Sequence, residues 1–232
     1  MKILLSIIIA VVLGYFLGSI NVAIISVKAL TGKDIRTMGS KNAGLTNTLR
    51  CAGKTCALIT LAGDMLKAVL AVSLSMMICR LIGGGIVFGE NYTAYAGYVA
   101  GISAVAGHMF PIYHNFKGGK GVLVSASALL VIDPRVFITV LSIFIVILAI
   151  SKYVSLASIF SAVYCPVAVL LMSWAVEGYS FGISILYCIF ALIMASLIIW
   201  KHKDNIQRML NNTENKFSFK TQAEKSQEEI NA

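Results

Sequence analysis

Apolar stretches of near membrane-spanning length recur along almost the whole chain, and they constrain its fold more than anything else in the sequence. A helix needs about 20 predominantly apolar residues to cross a bilayer. The candidate spans are Ile3–Leu30, Ala57–Ile82, Tyr92–Ile112, Val122–Ile132, Arg135–Ile150, Val154–Val176 and Phe181–Trp200. Hydrophobic residues make up 58% of the chain and charged residues only 12%, about half the charged share of a soluble domain. The chain is therefore expected to be an all-α polytopic membrane protein with seven transmembrane helices. The N-terminus begins like a signal peptide, but its apolar character runs on past Gly14 and Gly18 to Leu30 with no cleavage site, so an uncleaved first span is expected. The fourth stretch is too short to cross alone; it is either tilted or begins inside the preceding loop, covered by protein rather than lipid.

Charge placement orients the bundle. The net charge is +9, which in a soluble protein would suggest nucleic acid; in a membrane protein it reports topology. With seven spans, fourteen Lys and Arg side chains fall on the side of the loops after spans one, three and five and of the C-terminal tail, and three (Lys2, Arg80 and Arg135) on the other. This predicts an N-terminus outside and a C-terminus in the cytoplasm, with no nucleic-acid partner. Six spans would scatter the charges over both faces. Residues 1–210 form a single membrane domain in this reading, and residues 211–232 a polar, disordered cytoplasmic tail. Cys51, Cys56, Cys79, Cys165 and Cys188 have no zinc-like or disulfide-like spacing and are read as structural thiols.

Three polar segments on the cationic side need a chemical explanation. The first runs from Gly32 to Arg50 and is dense in Gly, Ser, Asn, Thr and basic residues. Placed before a helix, it would offer free N–H donors to a phosphate, and Arg50 could add a two-pronged contact. Turn formation and topology account for the same residues without a ligand. The second segment, Phe116-Lys117-Gly118-Gly119-Lys120-Gly121, combines backbone that can approach an anion closely with two cations. It lacks the spacing of a Walker A loop. The third places His202, Asn205 and Arg208 on roughly one side of a helix leaving the last span.

Several polar residues fall within the apolar stretches. Asp64 and Lys67, three apart in span two, are expected to form a structural ion pair. His108 is read as a structural hydrogen-bonding residue, and Ser19 and Asn21 as satisfying each other or neighbouring helices. Ser155 and Ser158, at the start of span six, could cap that helix or reach a ligand.

Together these segments resemble a known family. Gly18-Ser19-Ile20-Asn21 with Gly39-Ser40-Lys41-Asn42-Ala43-Gly44-Leu45-Thr46-Asn47 through Arg50 is similar to its first motif. His108-Met109-Phe110-Pro111 through Phe116-Lys117-Gly118-Gly119-Lys120-Gly121-Val122 is similar to the second, and His202 through Asn205 and Arg208 to Glu214 to the third. The family is the bacterial acyl-phosphate-dependent glycerol-3-phosphate acyltransferases, the PlsY family, and the resemblance covers nearly the whole chain. It implies a seven-span enzyme of the cytoplasmic membrane with its active site at the cytoplasmic face. That enzyme transfers an acyl group from acyl-phosphate to the 1-position of sn-glycerol 3-phosphate, giving lysophosphatidic acid and phosphate, the first acylation of phospholipid synthesis. It implies no cofactor and no metal, and membrane lipid and the enzyme that makes acyl-phosphate as neighbours.

Three positions depart from the family pattern: Lys41 stands where Gly is usual, Val124 where Thr is usual, and Asn212 where Gly is usual. On this resemblance Lys120 and the backbone of Gly118, Gly119 and Gly121 are assigned to phosphate, with Lys117 adding charge beside them. Ser40, Asn42, Asn47 and Arg50 complete the cradle, Ser155 and Ser158 line it, and His202 and Asn205 orient the glycerol part or the reacting carbonyl. Ser40, Lys120, His202 and Asn205 are the expected catalytic group. The base is either His202 or the substrate's own phosphate. A transporter of phosphorylated metabolites is the competing class; the gathering of the motifs on one face argues against it.

Overall fold

The computed structural model describes residues 1–83, 86–87, 90–91 and 93–218, and its regular structure is almost entirely helical. The helices are α1 (Lys2–Gly18), α2 (Val22–Thr31), α3 (Leu45–Leu81), α4 (Ala94–Met109), α5 (Val122–Ile132), α6 (Pro134–Ser151), α7 (Val154–Leu171, continued by a π-helical turn to Val176), α8 (Phe181–Lys201) and α9 (Lys203–Leu210). A two-residue antiparallel ladder, β1 (Ile86–Val87) with β2 (Glu90–Asn91), lies between α3 and α4. Five segments are long and apolar enough to cross a membrane: Lys2–Thr31, Leu45–Leu81, Pro134–Ser151, Val154–Val176 and Phe181–Lys201. The 16-residue α4 and the 11-residue α5 fall short of that length. At 1.5 Å per residue α5 is only about 17 Å long. It packs on α3, α4 and α6, so much of its surface faces protein.

The expected first span is two helices. α1 ends at Gly18, and Asn21 starts α2 as its N-cap, its Oδ1 accepting from Ile24 N–H at 3.1 Å. Ser19 and Asn21 do not satisfy each other. Ser19 Oγ donates back to the Tyr15 carbonyl at 2.8 Å, and Asn21 Nδ2 donates to the Ala43 carbonyl at 3.4 Å. The break therefore holds the loop of the first motif. α1 packs closely on α4 because small residues face one another: a Cβ on Gly18 would lie 2.2 Å from the Ala104 carbonyl oxygen, and one on Gly107 2.3 Å from that of Tyr15.

The second span also differs from expectation. α3 begins at Leu45 rather than Ala57, and its first two turns are set off by non-helical backbone at Gly53 (φ 86°, ψ 178°). Those turns carry Asn47 and Arg50 out of the loop and onto the helix. Asp64 and Lys67 pair as expected, with Lys67 Nζ 2.7 Å from Asp64 Oδ1. Lys67 Nζ also reaches the Ile20 carbonyl at 2.8 Å and His108 Nδ1 at 2.9 Å, so one ammonium joins the α1–α2 break, α3 and the end of α4.

The tail is partly built into the bundle. Phe217 N–H donates to the Lys152 carbonyl at 2.7 Å, and Asn212 takes the left-handed conformation (φ 55°) that the family's usual glycine would favour. Lys41, at the other such position, is also left-handed (φ 58°), at a cost of about 1 kcal/mol for a side chain with a Cβ. Val124 is fully buried against Val105 and Met109, an apolar site that a methyl fills as well as a hydroxyl. Residues 219–232, the rest of the tail expected to be disordered, lie outside the described residues.

Candidate functional site

A cavity of about 320 Å³ opens where the three polar segments converge. Its polar lining includes Ser40, Asn42, Asn47, Arg50, Lys120, Gly121, Ser155, Ser158, His202 and Asn205, with the buried Asp64 and His108, and its apolar lining comes from α5, α6, α7 and α8. Ten of the thirteen residues assigned to the site from the family resemblance thus line one cavity, drawn from segments more than 150 residues apart.

The first loop is shaped around Asn47, whose side chain is 1% exposed. Its Oδ1 accepts from Ser40 N–H at 3.0 Å, while Nδ2 donates to the carbonyls of Met38 (3.0 Å) and Asn42 (3.1 Å). The amide thus ties Ser40 and Asn42 into the loop, and Asn47 itself lines the cavity beside them. Among the described residues neither the Ser40 hydroxyl nor the Arg50 guanidinium has a hydrogen-bond partner within the protein, and both line the cavity.

The Gly-Lys loop folds back on the end of α4. Gly118 N–H donates to the Met109 carbonyl at 3.2 Å and Gly119 N–H to that of His108 at 3.1 Å, so neither amide faces the cavity as an anion donor. Both glycines are there for space: a Cβ on Gly118 would lie 2.0 Å from the His108 carbonyl oxygen, and one on Gly119 2.2 Å from His108 Nε2 and 2.5 Å from the Ala43 carbonyl oxygen. Lys117 is exposed and does not line the cavity. Its carbonyl and that of His114 accept from Arg36 Nη1, at 3.4 and 2.8 Å. Asp34 holds the same guanidinium, with Oδ2 2.7 Å from Nη2, and the two loops are thereby latched together. Arg36 was not distinguishable in the sequence from an ordinary topology charge. Gly121 takes φ 79° and starts α5, so that the first turn of that helix, with its free N–H groups, opens on the cavity.

Lys120 crosses the mouth to Asn205, donating to its Oδ1. Burial pulls the Lys120 ammonium down to about 8, with the Glu214 carboxylate opposing that shift. His202 is 2% exposed, and burial, reinforced by the Lys120 cation, lowers it to about 4. Its Nδ1 lies 2.8 Å from the Ile198 carbonyl, which assigns the ring proton to Nδ1 and leaves Nε2 as an acceptor. The third motif ends in a residue the sequence did not single out for the site. Glu214 Oε1 accepts from Asn205 Nδ2 (2.8 Å) and Ser155 Oγ (3.2 Å), and Oε2 accepts from Arg208 Nε (2.7 Å). Neither Ser155 nor Ser158 caps α7: Ser158 Oγ donates to the Val154 carbonyl at 2.8 Å, and both line the cavity instead.

What this arrangement can do follows from its charge and shape. Arg50 and Lys120 suit an oxyanion such as phosphate. Below the polar mouth the lining is apolar, which suits a hydrocarbon chain. Among the described residues no group of three or more His, Cys, Asp and Glu is placed to hold a metal ion.

Comparison with known proteins gives one result throughout. Residues 8–212 match the family model described as glycerol-3-phosphate acyltransferase. The chain is 41% identical over 220 residues to a glycerol-3-phosphate acyltransferase of Clostridioides difficile, covering 95% of this chain and 99% of that one. It is 38% identical to one of Salinibacter ruber, covering 92% and 93%. Among solved structures it resembles the glycerol 3-phosphate form of PlsY, an integral membrane glycerol 3-phosphate acyltransferase, with TM-score 0.75 and 30% identity over 92% of this chain and 96% of that one. The lysophosphatidic acid form of the same enzyme matches with TM-score 0.70 and 28% identity.

Proposed function

The chain belongs to the glycerol-3-phosphate acyltransferase family, and on that premise we propose that it moves an acyl group from acyl-phosphate to the 1-hydroxyl of sn-glycerol 3-phosphate. The products are lysophosphatidic acid and inorganic phosphate, and the step opens phospholipid synthesis. The observation that carries this reading is the joining of a cationic, donor-rich mouth to an apolar cavity.

In the proposed mechanism Arg50 and Lys120 hold phosphate oxygens, with the first turn of α5 beside them. The Ser40 hydroxyl, positioned through Asn47, donates to the acyl-phosphate. Asn205, held by Glu214, orients Lys120. The donor is a mixed anhydride and already activated, so the glycerol hydroxyl attacks the carbonyl directly and no covalent enzyme intermediate forms. Fixed donors stabilise the oxyanion that develops, each worth about 3–4 kcal/mol. His202 Nε2 accepts a hydrogen bond from the attacking hydroxyl and aims it. An imidazole lowered to about 4 is a weak base, whereas a phosphate monoester has its second ionisation near 6, so the proton goes to substrate phosphate.

The fold accompanies this reading with seven crossings: the five long segments, together with α4 and α5, whose shortness is compensated by protein packing. The N-terminus is outside, and the cavity mouth lies at the cytoplasmic face of the cytoplasmic membrane, on the side where the Lys and Arg residues concentrate. The enzyme that supplies acyl-phosphate would then meet it at that face.

The test is phosphate release from acyl-phosphate by purified protein, with and without glycerol 3-phosphate, and with acyl-CoA and acyl-carrier protein as alternative donors. Release should require glycerol 3-phosphate and acyl-phosphate. Lys120→Ala and Ser40→Ala should each lose at least about 100-fold in turnover while remaining folded. Turnover with acyl-CoA but not acyl-phosphate would refute the donor, and near-normal rates in both variants would refute the site.

A further inference from the structure

The lining of the cavity extends away from the polar segments along α5, α6 and α7, and its reach can be counted along a single helix. On α7 the lining runs from Val154 and Ser155, beside the polar segments, to Cys165. Ser155 and Cys165 are ten residues apart on that helix, about 15 Å at 1.5 Å per residue. On α5 the lining runs from Gly121 to Leu129, about 12 Å by the same rise. Phe137, near the outer end of α6, completes the far wall.

Beyond these side chains the bundle is filled. The Tyr98 ring packs against Tyr187 at 5.2 Å and Phe190 at 6.0 Å between centroids. Tyr98 and Tyr187 are each 2% exposed, and the cluster they join includes Leu129, Val136, Cys165 and Val169. Close-packed aromatic and branched side chains do not open for a hydrocarbon tail without creating strain.

We propose that Cys165 and Phe137, backed by Leu129 and the Tyr98–Tyr187 stack, form the floor that sets acyl-chain preference. The inference rests on the reading of the cavity as the acyl site. An extended alkyl chain with bonds of about 1.5 Å near 111° advances about 1.25 Å per carbon. Some ten to twelve carbons therefore separate a carbonyl at the mouth from the floor. A tail of that length fills the cavity. Further carbons must bend against the floor or leave through the α6 wall at Leu141, which is 38% exposed. Because the tail arrives from lipid or detergent, discrimination comes from the strain of carbons forced against the floor rather than from burial itself.

The experiment measures relative kcat/KM for saturated donors of 10 to 18 carbons in competition, so that a uniform loss of activity cancels. Phe137→Ala deepens the floor and should move the optimum two or more carbons longer. Cys165→Leu raises the floor and should move it two or more carbons shorter. If Cys165→Leu fails to fold, Phe137→Ala alone decides. Chain-length profiles that keep the wild-type shape in the folded variants would overturn the proposal. Should the protein prove to use acyl-CoA instead of acyl-phosphate, the same series is run with acyl-CoA esters. Failure of the donor assignment and failure of the floor therefore give different results.

Discussion

Replacing Gly119 by alanine separates two accounts of the Gly-Lys loop. If the glycine serves as an anion nest, alanine keeps its N–H and the effect is small. If it serves as a packing gap, the added Cβ falls 2.2 Å from His108 Nε2 and 2.5 Å from the Ala43 carbonyl oxygen. Relief to ordinary contact needs a shift of about 1 Å, since Cβ contacts begin near 3.4 Å. His108 has little room to yield, because its ring is buried and its Nδ1 is 2.9 Å from Lys67 Nζ. The loop must move, and Lys120 is the next residue. A 1 Å misplacement of a catalytic group costs about 100-fold, or about 2.7 kcal/mol of barrier. Overpacking adds about 1–3 kcal/mol of lost stability. The assay is steady-state phosphate release in detergent, paired with thermal unfolding. Gly182→Ala is the control, since a Cβ there meets nothing within 4 Å. Activity of Gly119→Ala within twofold of wild type, with unchanged melting, would refute the packing account.

Three other outcomes follow from the geometry. Because burial lowers Lys120 to about 8, its cation is lost as pH rises through that value. kcat/KM for glycerol 3-phosphate should therefore fall about tenfold per pH unit above 8, while kcat holds to higher pH because bound phosphate restores the charge. A profile flat from pH 7 to 10 would contradict this. Lys67→Met leaves the Asp64 carboxylate buried and unpaired and should destabilise the protein by about 3–5 kcal/mol, whereas Lys67→Met with Asp64→Leu should recover much of that loss. Denaturant midpoints of the single and double variants check it. Arg36→Ala removes the bonds to the His114 and Lys117 carbonyls and should lower kcat/KM roughly tenfold, with Arg36→Lys restoring little because one ammonium cannot fork between Asp34 and those carbonyls. Steady-state kinetics of the two variants would show whether the latch matters.

What is local in this protein was legible from residue order alone. Long apolar runs determined helices, and α5 has the bounds Val122–Ile132 that its hydrophobicity marks. Cation placement and the three polar segments marked the site region, because residue type and short spacing suffice for both. Asp64 and Lys67 were legible as a pair because they lie one helical turn apart.

Which groups of the three segments are spent on backbone and which face the cavity depends on packing between distant residues. Asn47 and Arg50 share one short segment and both line the cavity, yet the Asn47 amide is spent on loop backbone while the Arg50 guanidinium is not. Gly118 and Gly119 look like a nest in sequence, but their amides are taken by the end of α4. Glu214 belongs to the site only because the chain turns back beyond α9 and brings its carboxylate to Asn205, Ser155 and Arg208. The end of the cavity exists only where α5, α6 and α7 meet Tyr98 of α4 and Tyr187 of α8. Hydrophobic period and motif spacing describe neighbours along the chain. Which of two donors turns inward is settled by contacts between residues far apart in it, and no local pattern carries those.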